Sequence, residues 1–243
     1  MFERGVAIVA LTKWGVPTSR KVAKALEKAQ IQYNMFAPRQ LCSDRISSFD
    51  GNLRELFAKL FDEYDAIIAV MAVGIVVRSI APFITNKKTD PAVVVIDDLG
   101  KYAVSLLSGH IRGANRLAKI VAREIGAIPV VTTATELLGK KTVEEIADEN
   151  NLKIANFESL TLVNSAIVNE RKILVAAIGG VTCPIIENAD PKPISSIDQL
   201  KEIMKNYDAG IVISPTILAL TSLTKPVALL ITKKSTKPPG GEQ

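Results

Sequence analysis

Runs of consecutive apolar residues alternate along the chain with segments in which apolar residues recur every three or four positions. The apolar runs are residues 6–11, 66–71, 92–96 and 129–131. Such runs are typical of strands buried on both faces of a sheet. Between them, residues 53–61 and 114–125 place their apolar side chains on one side of a helix, and Gly126 is expected at the end of the second of these helices. This alternation predicts an α/β fold with largely parallel sheets flanked by helices.

The alternation resumes after a polar stretch that begins at Gly139. Helical spacing over Leu160–Val168 precedes an apolar strand at residues 173–177, and a further strand is expected at residues 227–231. The chain is therefore predicted to form two α/β units. The predicted parts are an N-terminal domain at 1–138, a smaller second domain at 139–232 and a disordered tail at 233–243.

Composition narrows the class of protein. The 243 residues are 48% hydrophobic but 5% aromatic, so the core must consist mainly of Ala, Val, Leu and Ile. Neither a membrane-spanning run nor a signal-peptide pattern is evident, and a cytoplasmic protein is expected. The two cysteines, Cys42 and Cys183, are far apart, and the chain has one histidine. These counts argue against a disulfide framework and against a zinc site.

The chain carries a formal net charge of +5. Such an excess attracts nucleic acid, acidic lipid or a polyanionic small molecule, although a solvated basic surface explains it equally well. No basic patch is interleaved with aromatic residues, so nucleic-acid binding is disfavoured.

Three segments directly follow predicted strands and are predicted to be loops: residues 72–78, 108–113 and 132–135. If the strands are parallel, these loops share one crevice at the carboxyl edge of the sheet, where α/β proteins bind ligands. Residues 12–15 follow the first strand and are candidates for the same crevice, although Trp14 is equally plausible as a packing residue.

The 108–113 segment leads into a predicted helix, whose first amides can hold a carboxylate or an oxyanion. Gly109 and Gly113 allow close approach, and an ordinary helix cap is the alternative. His110 can act as a general base on water or can simply hydrogen-bond its own loop. Ser108 is its candidate catalytic partner.

Arg78 and Lys87 are candidates to pair with substrate carboxylates, or they form part of a solvated face. The hydroxyls of Thr132, Thr133 and Thr135 can bind substrate carboxylates or cap the segment that follows. Residues 92–96 and 102–107 are predicted to be two strands of a hairpin, and Asp97 and Asp98, in the Asp-Asp-Leu-Gly between them, are interpreted as turn formers rather than as an acid–base pair. The predicted site comprises His110 and Ser108 for catalysis and, for substrate binding, Arg78, Lys87, Gly109, Gly113, Asn115, Thr132, Thr133 and Thr135, with no metal ligand.

Four ordered blocks resemble the CbiG family, the cobalt-precorrin-5A hydrolases of anaerobic cobalamin biosynthesis. The blocks are residues 72–82, Lys87 with 90–95, residues 105–110 with 113–115, and residues 129–135. Many relatives carry a further C-terminal domain, which this chain is expected to lack. Arg112 stands at a position that is commonly Gly, and Glu136 at one that is usually Asp.

The resemblance implies a substrate, cobalt-precorrin-5A, whose δ-lactone is opened by hydrolysis with release of acetaldehyde to give cobalt-precorrin-5B. Cobalt then arrives with the substrate, and no cofactor of the protein is expected. The alternative is a non-catalytic protein of the same pathway that binds or passes on corrin precursors. Homo-oligomerisation and association with other cobalamin-pathway enzymes are compatible with the sequence.

Overall fold

The computed structural model describes most of the chain as two units, Met1–Thr133 and Ala134–Gln243. The described residues are 2–50, 52–86, 89–110, 112–181, 189–220 and 222–232. Lys87 and the predicted tail at 233–243 lie outside them. Both units contain a sheet flanked by helices, which confirms the predicted fold class. The predicted boundary between residues 138 and 139 stays a prediction and lies slightly beyond the division at Thr133.

The first unit is built on a seven-stranded sheet. Its strands are β1 (Val6–Ala10), β2 (Tyr33–Pro38), β3 (Ile46–Phe49), β4 (Ala66–Val70), β5 (Ala92–Ile96), β6 (Tyr102–Leu107) and β7 (Ile128–Val130). They lie in the order β3-β2-β1-β4-β5-β6-β7. Strands β1 to β5 are parallel, β6 is antiparallel to β5, and β7 is parallel to β6. The last two strands therefore run opposite to the first five.

A tight turn causes this reversal. The Asp97 carboxylate accepts hydrogen bonds from the backbone N–H groups of Leu99, Lys101 and Tyr102 at 3.0, 2.8 and 2.7 Å. Gly100 has a φ of +71°, a backbone conformation that residues with a side chain rarely adopt. The predicted hairpin and the turn-forming role of Asp97 are confirmed.

Helices cover both faces of this sheet because β1, β4 and β5 are buried throughout. The helices are α1 (Gly15–Lys28), α2 (Leu53–Glu63), α3 (Val73–Ile80) and α4 (Ala114–Ile125). Leu26 of α1 and Leu117 of α4 belong to the core cluster on one face. Phe57 of α2 and Val76 of α3 belong to the cluster on the other. The two faces thus carry separate apolar cores.

The prediction of a loop at residues 72–78 is wrong, because α3 occupies Val73–Ile80. The helix contains no proline, and Val76 and Ile80, four residues apart, are both buried in the core of this unit. Tertiary packing therefore stabilises a helix that is too short to be recognised from its own sequence, which is why the segment was predicted to be a loop.

The second unit contains a five-stranded sheet in the order β10-β9-β11-β12-β8. Its strands are β8 (Leu152–Ile154), β9 (Ile173–Ile178), β10 (Asp190–Ile194), β11 (Ala209–Ser214) and β12 (Val227–Thr232). Its helices are α5 (Ala134–Leu137), α6 (Val143–Glu149), α7 (Leu160–Val168) and α8 (Ile197–Met204). Only β8 pairs antiparallel among these described strands. A capping box between Thr142 and Glu145 starts α6. In the described part of the chain, no helix is both long enough and apolar enough to cross a membrane.

Two arginines pair with the buried Asp65 at the amino end of β4. Asp65 accepts hydrogen bonds from the Arg4 backbone N–H at 2.9 Å, from Arg4 Nε at 3.0 Å and from Arg112 Nη2 at 2.9 Å. Burial alone would raise the pKa of Asp65, but the hydrogen bonds from Arg4 and the charges of both arginines lower it below its ordinary value.

Replacing Asp65 by Asn should lower the free energy of unfolding at pH 7 by roughly 2 kcal/mol, the scale of hydrogen bonds to charged groups. Because the pKa of Asp65 is lower in the folded state than in the unfolded state, its ionised form stabilises the fold at any pH above the unfolded-state pKa, about 3.9. This stabilisation is lost as the pH falls through the folded-state pKa. When urea unfolding is measured from pH 7 down to pH 2, the free energy of unfolding of Asp65→Asn should therefore fall less with decreasing pH than that of the wild type. Asp62→Asn, at an exposed neighbour, is the control, and equal acid sensitivity of wild type and Asp65→Asn would contradict the assignment.

Candidate functional site

The three predicted segments do not meet at one edge of the sheet. Val70, at the end of β4, pairs with Ile96 at the end of β5, whereas Leu107, at the end of β6, pairs with Val93 near the start of β5. The chain after β4 therefore emerges at the carboxyl edge of the parallel strands, and the chain after β6 and β7 emerges at their amino edge. The prediction of a crevice shared by all three segments is wrong, because it assumed parallel strands.

At the amino edge, the 108–113 loop caps its own helix. The N–H groups of Gly113, Ala114 and Asn115 donate to the carbonyls of His110, Ser108 and Gly109 at 3.1, 3.2 and 3.0 Å. The first amides of α4 are thus already bonded within the chain. The proposed anion site at this helix end is not supported, and the alternative, a helix cap, is what the structure contains.

Strain is concentrated at Ser108, which has a φ of +59°. Its Oγ is buried and has no hydrogen-bond partner among the described residues. His110 is half-buried in the same loop, and Ile111 beside it lies outside the described residues. The catalytic roles predicted for Ser108 and His110 stay predictions, and both residues lie at the amino edge.

Three residues predicted to bind substrate, Gly109, Asn115 and Thr133, also hold this loop in place, and their binding role stays a prediction. Asn115 is 3% exposed. It accepts a hydrogen bond from Ser105 Oγ at 2.7 Å and donates one to Thr133 Oγ1 at 3.1 Å. A Cβ at Gly109 would lie 2.6 Å from Asn115 Oδ1, so only Gly fits there. Thr132 is exposed in the first unit, whereas Thr135 is buried in α5 of the second.

Replacing Asn115 by Ala should lower the free energy of unfolding by roughly 2 kcal/mol, because the half-buried hydroxyls of Ser105 and Thr133 lose their partner and a cavity is left. Urea unfolding measures this change. Arg116→Ala, at the next and exposed position of the same helix, should change stability by less than about 0.5 kcal/mol. Equal stability of the two variants would show that the network contributes little.

The carboxyl edge contains the point at which strand order reverses. From β1 the chain proceeds outward through β2 and β3, whereas β4 lies on the other side of β1 and leads to β5. In doubly wound sheets, ligands bind outside the carboxyl ends of the strands at such a point. We call the region formed by residues 12–15, 71–74 and 97–99 the switch-point crevice.

Free hydrogen-bond donors lie on one side of this crevice. Helix α1 is capped by Thr12, which accepts from the Gly15 N–H at its carbonyl and at Oγ1. At α3, the Ala72 side chain forms no cap, and the Val73 and Gly74 N–H groups donate to no described residue. These two amides and the positive end of the α3 dipole are available to an anion.

Arg78 adds a cation at the same place. Its Nη2 lies 3.4 Å from the position that a Cβ on Gly74 would occupy, so the guanidinium is folded back toward the start of α3. The side chain is exposed and forms no ion pair with the described acidic residues. Arg78 and the α3 amides can therefore hold one carboxylate together.

Apolar side chains surround these donors. Trp14, Val73 and Leu99 are 64%, 41% and 65% exposed at the ends of β1, β4 and β5. The Lys13 ammonium lies 5.2 Å from the centre of the Trp14 ring. Large exposed apolar groups beside cations are typical of a binding surface. This one suits a ligand with a broad apolar face and anionic substituents.

The first unit is thus a doubly wound α/β domain whose strand order reverses between β1 and β4, and sequence comparison identifies its family. Residues 55–136 match the family model for the N-terminal region of cobalamin synthesis protein G, and residues 142–237 match the model for the central region of cobalamin biosynthesis proteins of this kind. The chain belongs to the CbiG family, as its sequence motifs predicted.

Curated relatives support this assignment. The chain is 38% identical over 180 residues to a cobalt-precorrin-5A hydrolase of Priestia megaterium, covering 73% of this chain and 48% of that protein. It is 34% identical over 169 residues to the cobalt-precorrin-5A hydrolase of Salmonella typhimurium, covering 69% of this chain and 47% of that protein. The chain therefore spans about half the length of these relatives.

A solved structure shares the fold. It is a cobalamin biosynthesis protein G homolog from Sulfolobus solfataricus, 23% identical in sequence, with a TM-score of 0.53. The match covers 94% of this chain and 60% of that one.

Proposed function

We propose that this chain hydrolyses the δ-lactone of cobalt-precorrin-5A, with release of acetaldehyde and formation of cobalt-precorrin-5B. The names of two curated relatives give the substrate and a hydrolysis, and the family resemblance implies the lactone opening and the release of acetaldehyde. The observation in the structure that supports it is the switch-point crevice, which combines Arg78 and the free α3 amides with exposed apolar side chains. Cobalt enters as part of the substrate, and the chain requires no metal or cofactor of its own.

The chemistry of the crevice fits a corrin precursor. The flat macrocycle is apolar over its face and carries carboxylates around its edge. Trp14, Val73 and Leu99 can pack against the face, because aromatic and aliphatic surfaces gain free energy when they leave water. Arg78 and the α3 amides can bind a peripheral carboxylate by charge-assisted hydrogen bonds.

A second role is binding without catalysis, in which the protein holds a corrin precursor for another enzyme of the pathway. The exposed apolar crevice favours binding in either role, so product analysis decides between them. We further propose that the protein works in the cytoplasm, without nucleic acid or membrane, and associates with itself or with other cobalamin-pathway enzymes.

Incubating the purified chain with cobalt-precorrin-5A should give a product that has gained water and lost acetaldehyde, detected by mass spectrometry and by trapping of the aldehyde. Heat-denatured protein is the control for spontaneous opening of the lactone. Tight binding of unchanged substrate, with no aldehyde, would favour the binding role and contradict hydrolysis by this chain.

A further inference from the structure

An unpaired carboxylate lies in the switch-point crevice. Asp98 follows β5, and its Oδ1 is buried with no hydrogen-bond partner among the described residues. A Cβ at Gly15 would lie 2.7 Å from this oxygen and 3.3 Å from the Val70 carbonyl oxygen. The carboxylate therefore lies between the start of α1 and the end of β4, at the point where strand order reverses.

The backbone around Asp98 is held on both sides. Its carbonyl oxygen accepts a hydrogen bond from Thr18 Oγ1 of α1 at 2.7 Å. The preceding residue, Asp97, is fixed by three backbone donors of the turn. Asp98 is thus held in place through its main chain, and Oδ1 of its side chain has no partner among the described residues. Because Oδ1 is fully buried, the other carboxylate oxygen, Oδ2, which is not among the buried atoms without a partner, is the one that can accept a hydrogen bond from a water molecule or a ligand.

Elimination leads to the same residue. The segments that follow β1, β4 and β5, at residues 11–15, 71–74 and 97–101, contain two acidic residues and no histidine. Asp97 is committed to the turn. Asp98 is the remaining group there that can accept a proton, since a lysine or arginine is already protonated at neutral pH. His110 lies at the amino edge of the same sheet.

We infer that Asp98 is the general base of lactone opening. This inference rests on the proposed hydrolysis and deepens it. Asp98 removes a proton from a water molecule while the water oxygen adds to the lactone carbonyl carbon. The bond from that carbon to the ring oxygen then breaks, and the leaving oxygen takes up the proton. One water is consumed, and a carboxylic acid and an alcohol are formed, with no oxidant or reductant.

Asp98→Asn should lower kcat by at least about a hundredfold, the lower end of the effect of removing a general base, with little change in KM. The fold should persist, because no described hydrogen bond to the side chain is lost at Oδ1. In Asp98→Ala, added formate should restore part of the rate, since a small carboxylate can enter the space left by the side chain. A residue with a merely structural role would show no such rescue. Asp148→Asn, an exposed acid of α6, is the matched control and should keep wild-type kcat.

A second variant tests the geometry. Gly15→Ala introduces a methyl group into the space beside Asp98 Oδ1, where it would also approach Val70. Because Ala is favoured over Gly in a helix, a fall in kcat cannot come from weaker helix formation. We expect kcat to fall by at least about tenfold, since displacement of a positioned group of this kind slows catalysis strongly.

Each outcome is informative. If the wild-type chain releases no acetaldehyde, the proposed function fails. If wild type is active and Asp98→Asn keeps its kcat, the assignment of Asp98 is overturned and the proposed function stands. A loss of kcat in His110→Ala, with none in Asp98→Asn, would place proton transfer at the amino edge and likewise overturn the assignment. Loss of kcat in Asp98→Ala without formate rescue would reduce Asp98 to a structural residue.

Discussion

Replacing Arg78 by Ala is expected to raise KM for cobalt-precorrin-5A by roughly 10- to 100-fold, with a smaller change in kcat. A hydrogen bond to a charged group contributes about 1.5 to 3 kcal/mol, and each 1.4 kcal/mol is a factor of ten. Arg78 has no carboxylate partner among the described residues, so its guanidinium is available to the substrate. A group that binds the substrate carboxylate equally before and during the reaction changes affinity rather than chemistry.

Two further variants sharpen this experiment. Arg78→Lys keeps the charge but loses the planar pair of donors, and should recover part of the affinity. Arg116→Ala removes an exposed arginine from α4 and controls for the loss of one positive charge from the whole protein. If Arg78→Ala and Arg116→Ala raise KM equally, the effect is general electrostatic attraction, and a specific carboxylate site at the start of α3 is contradicted.

Binding of the corrin substrate should quench most of the tryptophan fluorescence of the protein. Trp14 is the only tryptophan in the chain and is exposed at the mouth of the crevice. Its emission therefore reports on one place, and an absorbing macrocycle stacked on the indole accepts the excitation energy. Titration at low temperature, where little substrate is turned over during the measurement, gives the dissociation constant directly.

Trp14→Ala should weaken binding about tenfold, since an aromatic contact contributes about 1 kcal/mol beyond the apolar area that it buries. Trp14→Phe is the matched variant, because it removes the signal but retains a ring that can stack. Full turnover by the wild-type protein without any quenching would show that the macrocycle binds away from Trp14, and would remove the switch-point crevice as its site.

The local pattern of apolar and turn-forming residues predicts many of the strands and helices. The strands Ala92–Ile96 and Tyr102–Leu107, and the helix Leu160–Val168, were predicted with the bounds that the structure has. The expected end of α4 is confirmed at Gly126, which has a φ of +75°. In each case the period of the apolar residues and the adjoining turn residues indicate the same element, so tertiary packing does not need to override local preference.

Elements with mixed polarity were missed. Strands β2 and β3 lie toward one edge of the first sheet, and each has exposed or half-buried positions. Their sequences, Tyr-Asn-Met-Phe-Ala-Pro and Ile-Ser-Ser-Phe, are neither uniformly apolar nor regularly alternating. Such strands are stabilised by pairing with a neighbour already in the sheet, a contact that a local window cannot contain.

The candidate site was only partly accessible to sequence reasoning. Arg78 was singled out as a candidate to pair with substrate carboxylates, which stays a prediction, and its helix was taken for a loop. The hairpin of β5 and β6 was predicted, and it implied that the chain after Leu107 returns to the opposite edge from the chain after Met71. Asp98 was grouped with Asp97 as a turn former. The sequence did contain a signal for Asp98, because the turn requires only one carboxylate and Asp97-Asp98 provides two, so one of them is available for another role.

The turn at Asp97 fixes the main chain of the neighbouring Asp98 before substrate binds. The Asp97 carboxylate binds three amides of its own hairpin, so the turn takes its shape when the strands pair. The main chain that carries Asp98 is thereby fixed before any substrate arrives, and its conformational entropy is lost once, during folding, rather than in every turnover. An active site prepared in this way needs little reorganisation to reach the transition state. Loosening the hairpin should therefore slow the reaction even where the reacting groups themselves are unchanged.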